Sequence, residues 1–74
     1  MKRRDCQGAL PMFRRAATLG PQNPEAWYGV ALCSFELRRD RAADAAARRA
    51  LFADPAHPMA NLLAGFLADR KSVV

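Results

Sequence analysis

The sequence lacks a long apolar run and has few of the residues from which most catalytic and metal sites are built. Its longest apolar stretch, residues 26–33, is far shorter than the ~20 residues that span a bilayer. One histidine, two cysteines and four glycines show no metal-ligand spacing and no phosphate-binding loop. We therefore expect no enzyme, no cofactor, no metal, no small-molecule substrate and no membrane insertion.

The rare chemical groups are assigned structural roles. Two cysteines, Cys6 and Cys33, are too few for the disulfide framework of a small secreted protein. The charged opening, residues 1–4, is followed by polar residues and not by an apolar segment, so we expect no export signal. These features favour a reducing, cytoplasmic location with both cysteines buried. His57 lies in a proline-rich loop, where we expect it to be exposed.

Basic residues are in excess over acidic ones, which raises the possibility of an anionic partner. Twelve Lys and Arg against seven Asp and Glu give a net charge of +5, and clustered cations attract phosphates and carboxylates. Arg14, Arg15, Arg48 and Arg49 carry this alternative: a basic accessory domain that binds nucleic acid or an acidic partner. No aromatic residues are interleaved with these arginines in the expected fold, so base stacking, and with it nucleic acid, is less favoured.

Two loops, residues 20–24 and 54–58, each contain two prolines three residues apart. Such loops end one helix and begin the next. The segments around them are rich in helix formers, have apolar residues at helical spacing and show no competing strand pattern. The predicted helices are residues 5–19, 24–37, 41–53 and 58–70.

Three residues set expectations for the ends of these helices. Asn23 and Asp40 are predicted N-caps, because a short side chain with an oxygen can accept the unpaired amide hydrogens of a first turn. Pro11 would cost ~3 kcal/mol deep inside a helix. The first helix is therefore expected to begin near Gly8 or to be kinked.

The chain repeats itself at a fixed offset, which aligns Pro21 with Pro55 and Pro24 with Pro58. Both proline loops thus fall in register, and eight of forty aligned pairs are identical. A period of about 34 residues is typical of one class of helical repeat architecture.

These features resemble the tetratricopeptide repeat, a helix-turn-helix unit of about 34 residues. The matching positions of the central unit are Trp27, Val30, Ala31, Ala43, Ala50 and Pro55. The resemblance implies an all-α fold of antiparallel helix-turn-helix repeats, an α-solenoid with about four helices. It also implies one domain over residues 1–74, divided into a half repeat (5–20), a full repeat (24–55) and a C-terminal half repeat or cap (58–71).

Three positions depart from the family pattern. Arg38 stands where the family prefers glycine, Ala47 where a large aromatic residue is usual, and Asn61 where an apolar residue is expected. These departures predict weaker packing between the third and fourth helices.

The resemblance implies a protein-protein interaction module, a scaffold or adaptor, with a chaperone-like adaptor as one form. The first helix of each unit would line a concave groove that binds an apolar peptide or helix. The implied protein-binding residues are Glu25, Tyr28, Leu32, Phe35, Met59, Leu62, Leu63 and Phe66. Ordinary packing of the second helix against its neighbours is the alternative reading of Tyr28, Leu32 and Phe35.

The last helix has a wide apolar face and nothing after it to cover that face. A protein partner, or self-association through this helix into a homo-oligomer, would supply the missing burial. The alternative is that the sequence is one piece of a longer array.

Overall fold

The computed structural model describes the backbone of residues 6–72 and the side chains of residues 6–70. Within this part of the chain, the regular secondary structure is entirely α-helical. The helices are α1 (Cys6–Leu19), α2 (Pro24–Glu36), α3 (Asp40–Ala53) and α4 (Pro58–Ser72). The prediction of an all-α fold with four helices is confirmed. The charged opening, residues 1–4, and residue 5, where the first half repeat was predicted to begin, lie outside the described residues.

Consecutive helices pack against each other, and α4 also contacts α2. The connections are short, as expected for antiparallel neighbours. The core that they enclose consists mainly of small side chains, which let the helix backbones approach closely. Its alanines are Ala17, Ala26, Ala31, Ala43, Ala46, Ala47, Ala50 and Ala60. The other buried apolar residues are Cys6, Leu10, Val30, Cys33, Leu63 and Leu67.

Helix α2 occupies the centre of the fold, between α1 and α3. It begins after Asn23, whose side-chain Oδ1 accepts a hydrogen bond from the backbone N–H of Glu25 at 3.0 Å. The predicted N-cap is therefore confirmed. Because α2 has neighbours on both sides, its apolar residues are not confined to one stripe.

The predicted N-cap of α3 is wrong. Helix α3 begins at Asp40, and Arg39 occupies its N-cap position without a side-chain hydrogen bond. Asp40 instead lies in the first turn, where its negative charge complements the positive end of the helix dipole. Helix α1 begins at Cys6, close to the predicted residue 5, so of the two alternatives for Pro11 the start near Gly8 is wrong and Pro11 lies inside the helix.

The turn between α2 and α3 closes α2 with a Schellman motif. The N–H of Arg39 donates to the carbonyl of Ser34 at 2.8 Å, and the N–H of Arg38 donates to the carbonyl of Phe35 at 3.1 Å. Arg38 has φ 63°, in the left-handed region that glycine adopts without steric cost. The family's preference for glycine here thus has a backbone origin, and this chain carries strain instead.

One pair of core positions holds a large and a small residue in each repeat, but in opposite order. A Cβ atom on Gly29 would lie 2.4 Å from Cδ1 of Phe13, so the ring fills the space that this glycine leaves. One repeat later in the sequence, Ala47 aligns with Phe13 and Leu63 with Gly29. Both are buried in one core, at 0% and 4% exposure. The small residue at position 47 is therefore matched by a large one at position 63. Even so, α3 and α4 have the smallest contact of the three consecutive helix pairs, in line with the predicted weaker packing between them.

Candidate functional site

One side of α4 exposes large apolar residues. Met59, Leu62 and Phe66 are 48%, 52% and 51% exposed, and their spacing of three and four residues places them along one stripe of the helix. Leu63 and Leu67 point to the core and are 4% and 1% exposed. A side chain this deeply buried presents no area to a partner, so Leu63 belongs to the core and not to the predicted binding surface.

The exposed stripe of α4 adjoins half-buried side chains of α2. Tyr28, Leu32 and Phe35 follow each other at helical spacing, and all three are packed against the core on one side. The rings of Phe35 and Phe66 lie with centroids 6.4 Å apart and planes 21° apart. The two helices thus share one apolar surface. We call it the α2–α4 face; its residues are Tyr28, Leu32, Phe35, Met59, Leu62 and Phe66.

A groove of about 410 Å³ continues this face toward α1. Tyr28 and Leu32 belong to both the face and the groove. Most of the remaining lining is apolar, with one carboxylate. The other lining residues are Cys6, Ala9, Phe13, Glu25, Gly29 and Cys33.

His57 holds the turn before α4 against α2, although the sequence suggested an exposed side chain. It is 6% exposed. Its Nδ1 accepts a hydrogen bond from the backbone N–H of Ala60 at 3.0 Å, which leaves the proton on Nε2 to be donated to Glu25 Oε2, also 3.0 Å away. The imidazole also lies 5.4 Å from the ring of Tyr28. The expectation of an exposed histidine is therefore wrong.

Opposite charges mark the two ends of the α2–α4 face. Glu25 lies in the first turn of α2, and its side chain is 75% exposed despite its bond to His57. Near the last turn of α2, the guanidinium of Arg70 lies 4.6 Å from the centroid of the Phe35 ring and pairs with Asp40 at 3.3 Å. A bound segment would meet a carboxylate at one end and a guanidinium at the other.

The cysteines lie behind this face and are not suited to nucleophilic chemistry. Cys6 and Cys33 are both free and buried. Burial first, then the neighbouring Cys33 and Glu36, raises the pKa of the Cys6 thiol to about 12. Its Sγ donates to Glu36 Oε1 at 3.5 Å. Because the thiolate is the reactive form, this thiol stays unreactive at neutral pH.

The part of the chain that the structure describes contains no group of three or more His, Cys, Asp or Glu residues that could hold a metal ion. Among these same residues, none of the helices combines the length and the apolar character needed to cross a bilayer.

The four arginines of the alternative hypothesis are all exposed. Arg48 Nε lies 3.2 Å from Asp44 Oδ2, one turn earlier on α3. Arg49 lies over the ring of Trp27 at 5.1 Å from its centroid. Phe52, one turn after them, is 92% exposed. The expectation that aromatic residues stand apart from these arginines is wrong for the second pair, and the spacing between positions 48 and 52 carried the signal.

A family model described as tetratricopeptide repeat matches residues 1–65. Searches of the curated proteins and of the solved structures each give no significant match. The family match covers most of the chain and agrees with the four-helix fold, the repeat register and the proline-closed turns. Tetratricopeptide repeats are typically non-catalytic modules of protein-protein interaction. The chain belongs to the tetratricopeptide repeat family.

Proposed function

We propose that the chain binds an apolar peptide or amphipathic helix of another protein on its α2–α4 face. It would act as a scaffold or adaptor, and a chaperone-like adaptor that holds apolar client segments is one form of this role. One observation carries the proposal: three large apolar side chains of α4 are about half exposed and adjoin three half-buried ones of α2. A cytoplasmic location is part of the proposal, supported by two free, buried cysteines.

The geometry of the face suits a helical or extended apolar ligand. Met59, Leu62 and Phe66 form a ridge along α4, and the stacked pair of Phe35 and Phe66 joins it to α2. An amphipathic helix placed beside such a ridge contributes apolar residues at matching spacing. The carboxylate of Glu25 and the guanidinium of Arg70 would then select the ligand's direction through its end charges.

The energy available from α4 alone is limited. Burying the exposed half of one large apolar side chain contributes about 1 kcal/mol, so the three residues together contribute about 3 kcal/mol. Association costs at least ~4 kcal/mol in lost rigid-body freedom. A stable complex therefore needs more area, and the neighbouring groove of about 410 Å³ between α1 and α2 is where a ligand would find it.

Leu62→Asp is the most direct test, because Leu62 is half exposed in the middle of the ridge. The probe is a fluorescein-labelled amphipathic helix of about four turns with Leu and Phe on one side, and its binding is followed by fluorescence anisotropy. We expect at least about tenfold weaker binding, since a charge replaces apolar contact area in the interface. Leu19→Asp makes the same substitution at a 79% exposed site at the end of α1, outside the α2–α4 face and the groove beside it, and should leave binding within about twofold.

Sedimentation equilibrium of the same proteins separates a foreign ligand from self-association. A wild-type chain that is monomeric, and that loses probe binding only through Leu62→Asp, supports the proposal. Equal losses in the two aspartate variants would show a charge effect without a site. A wild-type dimer that dissociates in Leu62→Asp and does not bind the probe would identify a second copy of the chain as the occupant, and would overturn binding of a foreign segment.

A further inference from the structure

We propose that a second groove, on the outer side of α3, binds an acidic peptide segment through one of its apolar side chains and its flanking carboxylates. The groove is formed by the turn between α1 and α2, the ring of Trp27 and the exposed side of α3. We call it the arginine groove; its defining residues are Pro21, Gln22, Trp27, Arg48, Arg49 and Phe52. It shares none of these residues with the α2–α4 face, so the inference does not depend on the function proposed above.

The apolar part of the arginine groove is held in place by hydrogen bonding. The indole Nε1–H of Trp27 donates to the carbonyl of Pro21 at 2.9 Å, which uses the only polar atom of the side chain and fixes the ring against the turn. The groove encloses about 930 Å³, more than twice the volume of the groove beside α1. This space is wide enough for one large side chain of a ligand together with its flanking backbone.

Phe52 extends this apolar surface out to the rim. It is the most exposed of the large apolar side chains that the structure describes, at 92%. On α3 it follows Arg48 by four residues and Arg49 by three, so the three side chains share one side of the helix. A single exposed phenylalanine is ordinary. One that stands beside an open groove with a fixed tryptophan and two guanidiniums is a contact surface with defined chemistry.

The charges at the rim select a carboxylate ligand. The Arg49 guanidinium lies over a neutral ring, and no carboxylate of residues 6–70 forms an ion pair with it. Arg48 pairs through Nε with Asp44, whose side chain is 23% exposed, while its own side chain is 75% exposed. Because a guanidinium has five N–H donors, the exposed donors of Arg48 can bind a ligand carboxylate while this pair is kept. Guanidiniums bind carboxylates through two parallel N–H donors, a geometry that suits acidic side chains.

A peptide fits the arginine groove better than a nucleic acid does. Backbone recognition of nucleic acid needs a row of cations, since each neutralised phosphate adds to the affinity. Only two cations line this groove, and Asp44 places a negative charge beside one of them. Arg49 already covers the Trp27 ring, which leaves Phe52 as the one open ring for stacking.

Trp27 is the single tryptophan of the chain and lies in the groove, so its fluorescence reports occupancy. The probe is the capped hexapeptide acetyl-Glu-Asp-Leu-Phe-Asp-Glu-amide, and its control replaces each acid by the matching amide. Binding is measured both by Trp27 fluorescence and by calorimetry at low and physiological salt. We expect the acidic peptide to shift the emission and bind at least about tenfold more tightly than the amide peptide.

The chain provides a matched control for charge. Arg48→Gln with Arg49→Gln removes two charges from the groove, whereas Arg14→Gln with Arg15→Gln removes the same two charges one repeat earlier. We expect about tenfold weaker calorimetric binding for the first double variant and less than twofold for the second. Phe52→Ala, at a site too exposed to affect folding, should weaken binding by about threefold.

Each other result would overturn the proposal. Equal losses in the two arginine double variants would reduce the effect to net charge. Tighter binding of a short oligouridine than of the acidic peptide would assign the surface to nucleic acid. Binding without a change in Trp27 emission would place the peptide elsewhere, and no binding at millimolar peptide would remove the site. Circular dichroism confirms that each variant is folded before its affinity is used.

Discussion

The turn between α1 and α2 and the turn between α3 and α4 occupy equivalent places in successive repeats and share one backbone structure. In the first, the N–H of Gly20 donates to the carbonyl of Ala16 at 2.9 Å; in the second, the N–H of Asp54 donates to the carbonyl of Ala50 at the same distance. The residues at these positions differ in size, charge and flexibility. The fold therefore preserves the path of the backbone while different side chains stabilise it.

The N-caps show how one structural task is performed by different chemical groups. Asn23 caps α2 through its side-chain oxygen, which accepts from the N–H of Glu25. Its repeat equivalent, His57, caps α4 through Nδ1, which accepts from the N–H of Ala60. The imidazole does more than the amide, because its second nitrogen reaches Glu25 on a neighbouring helix. The second turn is therefore tied to α2, which positions α4 and its exposed stripe.

The fourth residue of α2 and the fourth residue of α4 show the opposite case, in which the second repeat has the smaller role. Trp27 donates from its side chain to the carbonyl of Pro21 at 2.9 Å, and its repeat equivalent Asn61 donates to that of Pro55 at 3.1 Å. Asparagine keeps the hydrogen bond and gives up the ring. Since that ring forms the wall of the arginine groove, the first turn has a groove that the second cannot build. The departure from the family pattern at position 61 thus distinguishes the surfaces beside two similar turns.

The exchange of large and small residues in the core gives the largest expected effect. Gly29→Leu adds a side chain where even a Cβ would meet the Phe13 ring at 2.4 Å, so we expect it to lower the free energy of unfolding by about 3 kcal/mol or more. Adding Phe13→Ala makes this layer resemble the one that contains Ala47 and Leu63. The double variant should recover to within about 1 kcal/mol of wild type, as measured by urea unfolding.

Phe13→Ala alone is the matched control for this exchange, because it empties the space beside Gly29 and should cost about 3 kcal/mol through the cavity that it leaves. If the losses in the free energy of unfolding of the two single variants simply add in the double variant, the two side chains do not occupy one shared volume. In that case the large-small exchange between the layers would be a coincidence of sequence.

The comparison between the caps of α2 and α4 gives the second-largest expected change in the free energy of unfolding. His57→Ala removes a cap, a buried ring and the bond to Glu25, and should lower the free energy of unfolding by about 2 to 3 kcal/mol. His57→Asn copies the cap of the first turn and should cost about 1 kcal/mol less than alanine. Asn23→Ala, measured by the same thermal unfolding, should cost only about 1 kcal/mol. Equal costs for the two alanine variants would contradict a second role for the histidine.

The sequence predicted those features that depend on neighbours along the chain. The proline loops, the four helices and the Asn23 cap follow from local rules, and the period of the repeats indicated the family. The buried position of His57 was missed, because its partner Glu25 lies far away in the sequence, on another helix. The repeat alignment with Asn23 carried a signal for its capping role but none for its burial, because Asn23 is exposed.

The candidate surfaces were predictable only in part, for the same physical reason. The exposed stripe of α4 follows from helical spacing, but Leu63 was placed on it because the large-small exchange with Gly29 cannot be read from one helix. The arginine groove was missed because Trp27 reaches it from α2 and Arg49 from α3. Such surfaces depend on which side chains meet across helices, and local patterns do not encode that.

The turn between α2 and α3 is the third turn of the molecule, and it gives the smallest effect. Arg38 has φ 63° there, a conformation that costs a residue with a Cβ about 1 kcal/mol. Arg38→Gly removes that strain, but it also increases the entropy of the unfolded chain, which costs about 0.5 to 1 kcal/mol, so the net gain in stability should be at most about 0.5 kcal/mol. Arg38→Ala removes the same charge and keeps the Cβ, so urea unfolding should show little gain. An equal gain from both substitutions would mean that the charge of Arg38, and not its left-handed backbone, lowers the stability of this basic chain. The backbone of this turn would then cost no more free energy than the backbone of the two proline-closed turns.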